Sequence, residues 1–122
     1  MKLARAAVVL ILLCAFAVAL RSQQETFIHQ KPVRLRHLAG TVVDPMGVFV
    51  AYATVELRDA KDHHVLDSTF ADGKGKFSFE DRKRGELLEF RASLAGFKIV
   101  QYTVLLKFFG NEHLKIVLPP AT

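Results

Sequence analysis

From His37 onward, apolar and polar side chains take turns in short bursts, each closed off by turn-forming residues. That period of two constrains the fold more than any other feature. A pleated strand sends successive side chains to opposite faces, whereas a helix repeats its apolar face every 3.6 residues. In "HLAGTVVD" the residues Leu38, Gly40 and Val42 share one face, and in "AYATVELRD" the inward set is Ala53, Val55 and Leu57. "LLEFRASLAGF" places Leu88, Phe90 and Ala92 together, and "LKIVLPP" does the same with Leu114, Ile116 and Leu118. "KIVQYTVLLKFF" is rich in β-branched and aromatic residues and reads as a strand as well. About seven one-sided strands with no convincing helix bury their faces most naturally as two packed sheets. The expected class is therefore all-β, an antiparallel Greek-key-type sandwich.

The punctuation between bursts is equally specific. "DPMG", with Asp44, Pro45 and Gly47, has the residue order of a type I turn. "DGKGKFSFED" could be read as a calcium loop or a phosphate cradle, but neither reading holds. The ligand positions alternating after Asp72 are Lys74 and Lys76, which would set cation against cation. A phosphate loop needs a longer glycine spacing and a helix behind it. Here Phe77 and Phe79 alternate with Lys76, Ser78 and Glu80, so the stretch is expected to form a hairpin whose phenylalanines enter the core.

Ahead of this domain the sequence changes character. Lys2 and Arg5 precede an apolar run from Ala6 to Leu20, with the small residues of Ala17-Val18-Ala19 near its end. This is the layout of a secretory signal peptide over residues 1–19, cleaved after Ala19. Fifteen apolar residues fall short of the ~20 that span a bilayer, so no transmembrane span is expected after cleavage. Retention of the segment as an anchor is the lesser alternative. Residues 20–36, which contain Pro32, read as a tether, and residues 37–120 as the folded domain. Cleavage would lower the net charge from +5 to +3 and remove Cys14, the single cysteine. The basic residues that remain are scattered rather than striped, so no nucleic-acid partner is expected.

In order, these pieces resemble a carboxypeptidase regulatory-like domain, a family with a transthyretin-like (prealbumin-like) sandwich. The resemblance rests on Gly40-Thr41-Val42, the Asp44-Pro45-Met46-Gly47 turn and Ala53-Thr54-Val55-Glu56-Leu57. It continues through Asp72, Gly75, Phe77 and Phe79 to Gly96-Phe97. Two departures stand out: Lys83-Arg84-Gly85 replaces the usual Pro-Gly, and the segment from Val48 to Tyr52 is more apolar than typical. The resemblance implies a non-catalytic accessory module found beside exported enzymes, receptors or adhesins. Relatives within the broad fold include starch-binding domains.

The chemistry legible in the chain agrees with a binding role. No His is followed three residues later by Glu; the nearest case is His64 and Asp67, which a strand would point to opposite faces. Ser68, Ser78 and Ser93 lie in strand patterns rather than on a strained elbow. No catalytic residue, metal ligand or cofactor is assigned. Two functions are expected, in order: binding an envelope or extracellular protein through a sheet edge or loops, or binding a polysaccharide. Sugar faces stack on exposed rings, and the candidates for that contact are Phe49, Tyr52, Tyr102, Phe108 and Phe109. The protein is expected in the periplasm or outside the cell.

Overall fold

The computed structural model describes residues 26–121 and contains eight strands and no helix among them. The expected leader, its cleavage point at Ala19 and the first residues of the tether lie outside the described residues. The strands are β1 (Thr26–Leu35), β2 (Ala39–Val43), β3 (Thr54–Asp59), β4 (Val65–Phe70), β5 (Lys76–Ser78), β6 (Leu87–Ser93), β7 (Ile99–Leu106) and β8 (Leu114–Val117). They form a five-stranded sheet in the order β1-β7-β6-β3-β4 and a three-stranded sheet in the order β5-β2-β8.

Burial follows the alternation residue by residue. Along β7 the pattern is strictly half-buried then buried, with Val100, Tyr102, Val104 and Leu106 inward. Leu38, Val42, Ala53, Val55, Leu57, Leu88, Phe90, Ala92, Leu114, Ile116 and Leu118 are likewise buried. Each large side chain so placed contributes about 1.5–3 kcal/mol relative to exposure. At the centre Phe90 meets Phe77 edge-on at 5.4 Å and stacks on Phe79 at 5.8 Å. Gly40 makes room for this cluster: a Cβ there would stand 2.6 Å from Phe77 Cζ and collide with the Leu114 carbonyl oxygen.

Three features differ from the expectation. The sheets are mixed, because β1 runs parallel to β7 and β2 parallel to β8. The segment expected as a tether contains β1, an edge strand that tolerates Pro32 because one of its sides has no ladder to feed. The stretch expected as a hairpin is a turn between sheets: β4 pairs with β3 while β5 pairs with β2. Its chemistry is nonetheless that of a tight turn. Asp72 Oδ1 accepts the N–H groups of Lys74 and Lys76, Gly75 N–H donates to Asp72 O, and Gly75 adopts φ +75°. Those N–H groups hold the Asp72 carboxyl below the ordinary value of 3.8. The Asp44-Pro45-Met46-Gly47 turn is built the same way, with Asp44 Oδ1 accepting Met46 and Val48 N–H.

Candidate functional site

The solvent face of the large sheet is a charged lattice. Cross-strand neighbours Glu56–Arg91 and Arg58–Glu89 set opposite charges against each other, the arrangement that favours pairing on one face. Arg58 also reaches Glu56 at 3.2 Å. Glu89 is buried there, and the His63 imidazole covers it at 2.8 Å. His63 belongs to the β3–β4 turn, where it adopts φ +62°. In the same turn, ligand atoms of Asp59, Asp62 and His64 lie within 4.8 Å of one another, the described group best placed to hold a metal ion. Each already serves the turn: Asp59 Oδ1 accepts Lys61 N–H, and Asp62 Oδ1 accepts His64 N–H and meets the His64 ring.

The two flanks of the sandwich are unlike. On the β1 side, His29 stacks on Tyr102 at 4.0 Å with nearly parallel planes, and Phe27 meets His29 edge-on at 4.9 Å. Tyr102 Oη accepts the Val117 N–H of β8, tying the two sheets together. This flank is closed. On the opposite side, where β4 and β5 are the free edges, a cleft of about 540 Å3 remains. Thr41, Thr69, Ser78, Lys76, His113 and Phe70 line it.

The closed flank carries a pH prediction. Burial lowers the His29 pKa below the ordinary 6.5. As pH falls through 6.5 the unfolded chain therefore takes up this proton before the folded one, so the His29 contribution to stability falls with pH from that point down through the lowered value. Urea midpoints at about pH 7.5 and about pH 5 should differ less in His29→Phe than in the wild type. An identical difference in both proteins would disprove the assignment.

The five ring candidates do not converge. Tyr102 is buried beneath His29 and holds the sheets together, so it is not offered to a ligand. Phe108 and Phe109 project from the β7–β8 loop. There the Arg84 guanidinium lies 4.9 Å over the Phe108 ring while donating to Arg36 O and Lys107 O. Phe49 and Tyr52 are at the opposite end, together with Met46 and Val48 of the β2–β3 loop. Sequence reasoning missed Phe70, the last residue of β4 and 70% exposed at that same end. The apolar excess from Val48 to Tyr52 was the one signal pointing there. Of the turn and core residues, Gly47, Gly75 and Gly96 all have positive φ, Phe77 is buried, and Phe79 and Phe97 pack partly buried against the core.

What the fold and these surfaces define is an all-β two-layer sandwich with one closed flank, one open flank and two dissimilar ends. No protein-family model and no curated protein matches the chain. Among the described residues no helix is long and apolar enough to cross a membrane.

Proposed function

We propose that this chain is a non-catalytic accessory module, exported to the periplasm or beyond, that binds a protein partner by accepting a strand at the free edge of β4. The module is taken to be a prealbumin-like Greek-key sandwich of the carboxypeptidase regulatory-like type. The order of its turn motifs and its all-β architecture support that reading, and the basic-then-apolar N-terminus supports export. The observation that carries the binding mode is the condition of the four sheet edges. β1 is guarded by Lys31, Pro32 and an irregularity between His29 and Val33. β8 is guarded by the Tyr102 hydroxyl and by Pro119-Pro120, and β5 is three residues long. β4 offers six residues beside the cleft, with no Pro or Lys among them. Its Ser68 N–H turns away from β3 and donates to the Asp67 carboxylate, a guard that an incoming carbonyl can displace. Strand addition draws affinity from such main-chain groups and specificity from neighbouring pockets.

The test is a pull-down from envelope extract with wild type, Ser68→Pro and Asp67→Ala. Proline at position 68 removes an N–H that the β3–β4 ladder does not use, so the fold should survive. Retention of the partner should drop about tenfold or more in Ser68→Pro, and Asp67→Ala should retain it at least as well as wild type. Equal retention by Ser68→Pro would reject the edge. A second reading, polysaccharide binding, draws on exposed Tyr52 and Phe70 beside the hydroxyl-lined cleft. Retention by a glucan with no protein retained would favour it.

A further inference from the structure

The strand connections sort by chemistry between the two ends of the sandwich. At the end formed by residues 36–38, 60–64, 79–86 and 107–113 there are 11 Asp, Glu, Lys and Arg side chains in 23 residues. At the other end, residues 44–53, 71–75, 94–98 and 118–121 hold four in 24. Two of those four, Asp44 and Asp72, each use Oδ1 to accept the N–H groups of their own turns. Lys74 and Lys98 are the other two.

The sparsely charged end is also where large apolar side chains stand in solvent. Met46, Val48, Phe49, Tyr52 and Phe70 are each more than half exposed, Met46 at 87%. Phe27 and Ile28, at the start of β1, are exposed at the same end, since Thr26 pairs with Ile99 where β7 begins. A clustered apolar surface of this kind marks a contact site rather than ordinary exposure. The backbone is strained to present it. Tyr52 adopts φ +63°, uncommon for a bulky residue, with its N–H shared between Ala71 O at 3.2 Å and Asp72 O at 3.4 Å. Its hydroxyl lies over Gly73, at 3.4 Å from where a Cβ would stand, so the β2–β3 and β4–β5 connections form one surface.

We infer that this end docks on the surface of a lipid bilayer. Three observations select a bilayer as the occupant. Apolar tips with an amphipathic ring at their centre and lysines at Lys74 and Lys98 match the layered chemistry of a membrane interface. Asp44 and Asp72 are balanced by Lys74 and Lys98, so these connections carry no net charge for anionic headgroups to repel. The chain also enters here: wherever the apolar run of residues 6–20 is retained as an anchor, residues 21–25 join it to Thr26 over a reach of at most ~22 Å. This contact shares only Phe70 with the β4 edge and goes beyond the partner reading above.

The chain contains no Trp, so single-tryptophan variants of the full chain report each end without background. Phe49→Trp and, at the charged end, Phe109→Trp are made, with far-UV circular dichroism confirming the fold. Met46→Trp replaces Phe49→Trp should the latter misfold. With vesicles of phosphatidylethanolamine and phosphatidylglycerol, emission from position 49 should shift to the blue and be quenched by brominated acyl chains, while position 109 stays unshifted. No response at position 49, or an equal or larger one at position 109, would overturn the inference. So would a blue shift at position 49 produced by lipid-free envelope protein and not by vesicles, which would assign the end to a protein.

Discussion

Phe90→Ala should destabilise the protein by about 3–5 kcal/mol, the range for truncating a fully buried aromatic. Phe90 has no exposed surface, and its ring is the common neighbour of Phe77 and Phe79. Leu57 lies opposite it across the β3–β6 ladder and Tyr102 across the β6–β7 ladder. Truncation therefore removes apolar burial, two ring–ring contacts and the support of the inter-sheet layer at once. The surrounding strands are held by their ladders and can collapse only partly into the gap, which places the cost at the upper part of the range. A domain of this size has about 5–15 kcal/mol of stability in all, so the melting temperature should fall by more than about 12 °C. Phe90→Leu keeps most of the volume and should cost under about 1.5 kcal/mol. Urea titration followed by far-UV circular dichroism separates the two, and equal midpoints for Phe90→Ala and wild type would refute the packing described.

The second large effect comes from Gly75→Ala. Two costs act at this position. The backbone is left-handed at φ +75°, which an L side chain resists by about 1–2 kcal/mol. A Cβ would also strike the Val42 carbonyl oxygen and stand 3.1 Å from the Val50 carbonyl oxygen. Both obstacles are backbone, so neither can swing aside as a flexible side chain could. Val42 N–H donates to Gly75 O at 2.7 Å, so relief by moving the turn would break a bond between β2 and the inter-sheet turn. The summed cost should be about 3 kcal/mol or more. Gly47→Ala supplies the comparison, because Gly47 has φ +84° with nothing within 4 Å of its Cβ position. It should lose only the conformational part, about 1–2 kcal/mol. Similar losses in the two variants would mean that the close approach at Gly75 is absent in solution.

Much of the interior could be read in advance, because a period of two and the burial of one face are the same fact seen twice. Leu88, Phe90 and Ala92 could be set inward from spacing alone, and Asp44-Pro45-Met46-Gly47 could be set in a turn from residue chemistry alone. Pairing partners were not legible in that way. The Asp72 turn encodes a local reversal, but nothing in five residues says whether the strands on either side will join one sheet or two. β1 escaped notice because an edge strand needs only sporadic burial. Most of Thr26–Leu35 is exposed or half-exposed, and Pro32 interrupts what alternation there is. The surfaces were legible only in part. Phe49 and Tyr52 stood out as rings without a core assignment, whereas their gathering with Phe70 depends on where β2 and β4 happen to end.

The position of β1 has a consequence for how the molecule comes into being. Thr26 finds its partner in Ile99, 73 positions later, and Leu35 finds its own in Leu106. The first of the described strands to be synthesised is thus among the last to be seated, and such distant pairing is slow to form. Until β7 has been delivered, residues 26–35 have nothing to add themselves to. Nascent chains stalled before Ile99 should accordingly be cut by a probe protease between Thr26 and Leu35, and chains released at full length should resist it there.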